Sequence, residues 1–223
     1  MGCMVELTIP ETPTVAVLGG TGPQGMGLGY RLAASGVPVL IGSRSPDRAA
    51  EAAQEIGFGA TGDANPVVAE QADMAIIAIP WAGHEALVSS LAAELAGKVV
   101  IDCVNPLGFD KRGAFALDVP EGSAAEQAQA HLPDSVVVGA FHNVSAVLLN
   151  DRSLAEIPED VLVLGEVREA TDAVVALASR VPGMRGLYGG RLRNCAQIEA
   201  LTANLISINR RYKTHAGLRI TGI

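Results

Sequence analysis

Three groups of residues carry chemistry by their types and spacing. The first is Gly20-Thr21-Gly22-Pro23-Gln24-Gly25, a Gly-x-Gly-x-x-Gly turn. Glycine at its first position permits a tight exit from a strand, at its second lets the main chain approach a diphosphate, and at its third lets a helix pack close to that strand. Backbone N–H groups at the start of the helix, with the positive end of its dipole, favour an anion there. These six residues are expected to contact a dinucleotide. The second group is Ser43, Arg44 and Arg48. Chains that bind NAD carry a carboxylate in this region for the ribose hydroxyls, and a carboxylate would repel the 2′-phosphate of NADP. A guanidinium fork gives charge-assisted hydrogen bonds to phosphate instead, so NADP is expected over NAD.

The third group follows the later strands: Pro80 and Trp81 with His84 nearby, Asn105-Pro106, and His142-Asn143. In an open parallel sheet, ligands cross the carboxyl ends of the strands. Trp81, the single tryptophan, is expected to wall a ring pocket with Pro80. His84 reads most simply as an exposed residue at a helix start. His142 leaves a buried strand at the active edge, and with Asn143 is the candidate polar contact to a substrate. An imidazole there could hydrogen-bond a carbonyl or deliver a proton near neutral pH.

No lysine or tyrosine at dehydrogenase-like spacing pairs with a histidine, and the histidine, cysteine and carboxylate positions suggest no metal site. Reduction of a carbonyl to an alcohol profits from an acid at the developing oxyanion. Hydride exchange between two conjugated rings has less need of one, because placement of the rings does most of the work. The missing acid favours the second chemistry.

These positions require strands that end where the groups begin. Thr14 to Leu18 and Val37 to Gly42 read as buried strands flanking the glycine turn and its helix, and Met74 to Ile79, Lys98 to Cys103 and Val136 to Phe141 as further strands. A strand near Phe58 to Thr61 and another at Val161 to Leu164 complete the set. Gly27 and Gly29 lie inside the first helix, where each costs up to about 1 kcal/mol against alanine, so close packing or close ligand approach is expected. Leu107 to Gly122 reads as a long loop, Gly183 to Gly190 as a turn-rich piece, and Cys195 to Tyr212 as a long helix. The fold class is α/β: a Rossmann-like, predominantly parallel sheet with helices on both faces and a small carboxy-terminal lobe. The expected division is residues 1–150 for NADP binding and 151–223 for acceptor binding and oligomerisation. Ile198, Leu201, Leu205 and Ile208 make an apolar stripe on the last helix, expected to bury against a second subunit in a homodimer.

Composition narrows the classes. Sixteen basic residues against 24 acidic give a net charge of −8, which argues against a nucleic-acid partner. From Arg180 onward the sign reverses: eight basic residues and one acid, Glu199, give +7 and leave −15 for the preceding 179 residues. Such a segment suits an anionic ligand or acidic surface. Three widely spaced cysteines, Cys3, Cys103 and Cys195, indicate neither a disulfide framework nor a zinc site. The first residues carry no basic leader, and the longest apolar runs fall well short of the ~20 residues that span a bilayer, so no membrane association and a cytoplasmic setting are expected.

On Val17-Leu18-Gly19-Gly20-Thr21-Gly22 with Gly25 and Gly27, Ile41-Gly42-Ser43-Arg44, Ile79-Pro80-Trp81, the strand ending at His142, and Glu199-Ala200-Leu201-Thr202 with Asn204-Leu205-Ile206, the chain resembles the NADPH-dependent reductases of the 5-deazaflavin coenzyme F420. The resemblance implies reversible hydride transfer between nicotinamide C4 and deazaflavin C5. It places Thr21 and the glycine turn on the NADP diphosphate, Ser43, Arg44 and Arg48 on the 2′-phosphate, Pro80 and Trp81 beside the cofactor, and His142 and Asn143 beside the deazaflavin. It also implies homo-oligomers. Phe109 to Pro120 and Asn143 to Val147 depart from the family pattern, and the basic carboxy-terminal segment or Lys111-Arg112 is expected to meet the coenzyme's anionic tail. The residues alone leave two alternatives: an NADPH-dependent reductase of a flavin, quinone, imine or metal chelate, or a noncatalytic NADP-sensing module.

Overall fold

The computed structural model describes residues 7–223, so Cys3 and the leader reading lie outside the described residues. The apolar runs of the sheet's centre become strands buried along their whole length, as at Val15–Leu18, Met74–Ile77, Val99–Asp102 and Val136–Gly139, and amphipathic segments between strands become helices. In chain order the elements are β1 (Val15–Leu18), α1 (Pro23–Ala34), β2 (Val39–Ser43), α2 (Pro46–Ile56), β3 (Thr61–Ala64), α3 (Asn65–Gln71), β4 (Met74–Ile77), α4 (His84–Ser90) and β5 (Val99–Asp102). A hairpin follows, β6 (Leu107–Asp110) and β7 (Gly113–Ala116). Then come α5 (Ala124–His131), β8 (Val136–Gly139), α6 (Ala146–Asn150), β9 (Asp160–Leu164), α7 (Arg168–Ala178), β10 (Arg185–Gly190) and α8 (Cys195–Tyr212). Short 3-10 turns precede α4 (Trp81–Gly83) and α8 (Leu192–Asn194).

Eight strands form one sheet in the order β10-β9-β8-β5-β4-β1-β2-β3. From β3 to β8 every pairing is parallel; β9 then runs antiparallel to β8, with β10 parallel to β9. The α/β, predominantly parallel class is therefore observed. The strand order reverses beside β1, which opens a crevice above β1 and β4, where such sheets hold ligands. Two apolar cores cover the faces. One packs α1, α2 and α7 against residues such as Val17, Ile41 and Val163; the other packs α3, α4 and α5 against Leu18, Ile77 and Val137. Residues beyond 150 add β9 and β10 to this same sheet and α7 to its first core.

Two regions differ from the sequence expectation for a local reason, and one short helix adds to it. The expected loop after Pro106 holds the β6–β7 hairpin, whose turn closes on Asp110: its Oδ1 accepts the N–H groups of Arg112 (2.7 Å) and Gly113 (3.1 Å). The turn-rich piece after Gly183 contains β10. A Cβ on Gly186 would strike the Val175 backbone, so the glycine that reads as a turn is there to let α7 lie on the strand. Helix α6 is short and was not expected.

The α8 stripe is divided. Leu205 is buried within its own chain, Ile198 and Leu201 are half-buried, and Ile208 is exposed. Among the described residues no helix is long and apolar enough to cross a membrane.

Candidate functional site

The glycine turn is built as its spacing requires, with one reassignment. Gly19, not Gly20, takes the left-handed backbone (φ +72°), and a Cβ there would strike Ile79. Gly20 is needed for close packing, since its Cβ would lie 2.7 Å from the Val17 carbonyl oxygen. Gly25 is pressed onto the turn, its Cβ 2.6 Å from Gly20 Cα. Gly22 is different: the nearest atom to its Cβ is 3.7 Å away, so the missing side chain leaves space rather than filling it. Pro23 occupies the first helical position of α1, and the first N–H of the helix to find a backbone carbonyl is Met26, on Gly22 (2.8 Å). The result is an open turn at a helix start, a geometry that suits an anion. Gly27 packs against Leu149 of α6 and Gly29 against Ile41 and Ile56, so both serve helix packing rather than ligand approach.

Ser43 ends β2 and Arg44 follows it on the rim of a cavity of about 680 Å³, lined also by Gly19, Asn65, Pro80 and Leu87. Arg44 and Arg48 are exposed, whereas Ser43 is buried and accepts the Ser45 N–H (3.2 Å). Asn65, which sequence reasoning missed, ties this end together: its Oδ1 accepts the Gly19 N–H at 3.2 Å.

A second cavity of about 460 Å³ begins at Gly22, Pro23 and Gln24 and runs between Pro80-Trp81, Val104-Asn105 and the inner side of α8 at Thr202, Leu205 and Ile206. Gln24 Nε2 reaches the Phe141 carbonyl (3.4 Å), bridging the glycine turn to the end of β8. Thr202 Oγ1 and Asn105 Nδ2 both donate to the His142 carbonyl (3.0 and 2.9 Å), and Asn143 Nδ2 donates to the Ile198 carbonyl and Thr202 Oγ1. Helix α8 thus clamps the exit of β8 and closes the cleft. Asn105 lines the cleft, and its Oδ1 is itself buried with no hydrogen-bond partner among the described residues.

The structure corrects both histidines. His142 is 4% exposed, yet its side chain has no exposure at all, so its main chain faces the cleft and its ring does not. Phe141, in the left-handed region (φ +63°), precedes it at the strand exit, and the ring lies inward, 4.0 Å from Glu199 Oε1, with neither nitrogen hydrogen-bonded. Burial drives its pKa down to about 4, against a smaller upward effect of the Asp102 charge. Direct proton delivery by His142 to a ligand is not available to this arrangement. His84 is fully buried rather than exposed, bonded to Asp102 and Gln127. Glu199, 2% exposed, accepts the N–H groups of Ala124 and Ala125 at the start of α5. Burial pushes its carboxyl up to about 7.

The cysteines Cys103 and Cys195 are buried free thiols, held far toward the protonated form by burial. Among the described residues no group of three or more potential ligands is placed to hold a metal.

With this geometry in view, comparison with known proteins is informative. Residues 14–106 match the family model described as NADP oxidoreductase, coenzyme F420-dependent. The F420-dependent NADP reductase of Methanothermobacter marburgensis is 37% identical over 221 residues, covering 94% of this chain and 98% of that protein. The chain belongs to this family. The F420-dependent NADP reductase of Methanocaldococcus jannaschii is 36% identical at the same coverage. A solved structure from Arthrobacter sp. FB24, named for an inferred F420-dependent NADP reductase activity, superposes with a TM-score of 0.80 at 26% identity, covering 94% of this chain and all of that one. The protein is accordingly an NADP(H)-utilising oxidoreductase of this family.

Within the family frame, Arg31 is the positioning residue that sequence reasoning missed most completely. It is 6% exposed and donates to the carbonyls of Leu148, Leu149, Asp151 and Leu154 at 2.6–3.0 Å, fastening α6 and the following loop onto α1. The only signal in the sequence is an arginine amid a helix otherwise rich in glycine and apolar residues.

The basic tail is largely self-neutralised at its ends. Arg185 and Arg219 pair with Asp160, and Arg191 pairs with Glu166. Arg193, Arg210, Arg211 and Lys213 are exposed.

Proposed function

We propose that the protein transfers a hydride reversibly between NADP(H) and the deazaflavin coenzyme F420. The observation that carries this reading is the cleft beside the glycine turn. Its walls are main chain, apolar side chains and neutral polar groups, and among the described residues the titratable side chains on it, Cys103 and His142, are buried and not poised to give up or take a proton. Such a cleft suits two flat rings laid against one another and offers no acid to a developing alkoxide.

The residues fit the cofactor. The space beside Gly22 and the start of α1 would take the diphosphate. Ser43, Arg44 and Arg48 would take the 2′-phosphate. Bound there, NADP(H) supplies hydride-transfer chemistry. The chain's own part is to orient the rings between Trp81 and Ile206, to exclude bulk water from most of the contact, and to leave the accompanying proton to solvent at the cleft mouth. His142 and Asn143 would border the acceptor at the exit of β8.

The test is to mix purified protein with NADPH and F420 and follow the loss of the deazaflavin absorbance. Turnover is expected. Turnover with a flavin, quinone, imine or metal chelate and none with the deazaflavin refutes the reading, as does binding of NADPH with no turnover of any acceptor.

A further inference from the structure

Directly behind the cleft wall lies a buried polar cluster that hydride transfer itself does not use. His84 Nε2 is 2.6 Å from Asp102 Oδ2, and His84 Nδ1 is 2.8 Å from Gln127 Oε1; both His84 and Asp102 are wholly buried. With Asp102 as a carboxylate, its oxygen only accepts, and Nε2 carries the proton between them. Gln127 directs its Nε2 at the Glu121 carboxylate (3.3 Å), another pure acceptor, which leaves the amide oxygen facing His84. Nδ1 must then be protonated as well. With both nitrogens donating, the ring is an imidazolium.

That cation stacks on the indole of Trp81, with 5.3 Å between centroids and 29° between planes. A cation at an indole face is attracted by the ring quadrupole, most strongly where water is excluded. The second oxygen of Asp102 accepts the Val104 N–H at 2.9 Å. Trp81 and Val104 both line the cleft, and neither His84 nor Asp102 does.

We infer that His84 and Asp102 are positioning residues for the bound rings: one buried ion pair seats the Trp81 indole through the stack and the Val104 main chain through the carboxylate. The charged and titratable groups facing His84 are Asp102 from β5, Glu121 behind Gln127 of α5, and Glu199 from α8. On its own helix, Glu85 reaches His131 instead (3.7 Å). Burial works against the imidazolium, but the bonds to Asp102 and Gln127 and the neighbouring charges outweigh it and hold the pKa above the ordinary 6.5.

The inference rests on the proposed reaction only for its kinetic arm. Trp81 is the single tryptophan, so intrinsic emission reports this contact alone. An imidazolium quenches indole emission more than the neutral ring does. In the full-length wild type, emission should therefore rise with pH around a midpoint above 6.5. Asp102→Asn keeps the shape and the acceptor for Val104 but removes the charge, and should move the midpoint down by about one pH unit or more. His84→Gln should abolish the pH dependence. In turnover, Asp102→Asn should raise KM for the deazaflavin about tenfold. An unmoved emission midpoint overturns the proposal, and so does an unmoved KM in a variant whose midpoint has shifted. If the wild type turns over no deazaflavin, the proposed activity fails while the emission titration still decides the role of His84. Should Asp102→Asn not fold, nitrogen-15 spectra of wild-type His84 at pH 7 decide instead: two protonated ring nitrogens support the inference, and a neutral tautomer overturns it.

Discussion

Replacing Glu199 with glutamine isolates the energetic consequence of burying a carboxyl behind the cleft. Burial raises its pKa from 4.5 to about 7, against the downward pull of the Ala124 and Ala125 N–H groups and His84, and with a further push from Asp102. Between pH 4.5 and about 7 the folded chain keeps a proton that the unfolded chain has released. Stability therefore falls as pH rises through that window, by ~1.4 kcal/mol for each factor of ten, or about 3 kcal/mol once the pH exceeds 7. Glutamine carries no such cost. It keeps one acceptor oxygen for two donors, a loss of about 1 kcal/mol that does not depend on pH.

Urea unfolding of both proteins at pH 5 and pH 8 gives a double difference in which the lost bond cancels. His142 also cancels to first order; its depressed pKa acts in the opposite sense, lowering stability as pH falls from 6.5 toward 4. The variant should gain about 2.5 kcal/mol on the wild type between pH 5 and pH 8. A double difference below about 1 kcal/mol, or of opposite sign, refutes the reasoning.

The remaining predictions concern the cofactor side and its supports. Arg44→Ala should weaken NADPH binding about tenfold or more while leaving NADH unchanged, as read by the two dissociation constants; equal losses would remove Arg44 from the 2′-phosphate. Gly22→Ala should melt like the wild type but lose NADPH affinity. Gly27→Ala, whose Cβ would meet Leu149 and lie 2.9 Å from Asn150 Nδ2, should lose about 1–3 kcal/mol of stability; thermal melts with NADPH titration separate the pair. Arg31→Met strands four carbonyl acceptors of α6 and its loop and should cost about 3 kcal/mol in urea unfolding, with exchange of the 146–154 amides accelerated first. Neutralising Arg210, Arg211 and Lys213 together should weaken F420 binding most at low salt; equal affinity across ionic strengths would show that the coenzyme's anionic tail lies elsewhere.

Much of the frame was legible because it is encoded locally. A buried apolar run, a glycine turn and a helix start lie within one stretch of chain, so β1, the turn and α1 could be read together, and Arg44 could be placed at the end of β2. The hairpin β6–β7 and strand β10 were not legible. Their glycines and short apolar runs signal turns unless the packing partner is known, and for Gly186 that partner is the Val175 backbone of α7.

The residue types and their spacing by themselves determined a Rossmann-like fold, an open turn at Gly22 before a helix and an exposed arginine just after β2, since these follow from backbone freedom, periodicity and charge in continuous segments. Tertiary structure alone decided what each polar side chain meets. His84 finds Gln127 43 positions away, Asn143 finds Thr202 59 positions away, and Arg31 finds Leu148 117 positions away. Whether an imidazole lies in a cleft or behind its wall is set by such distant partners, because a buried polar group settles where its hydrogen bonds can be met rather than where its place in the chain would put it.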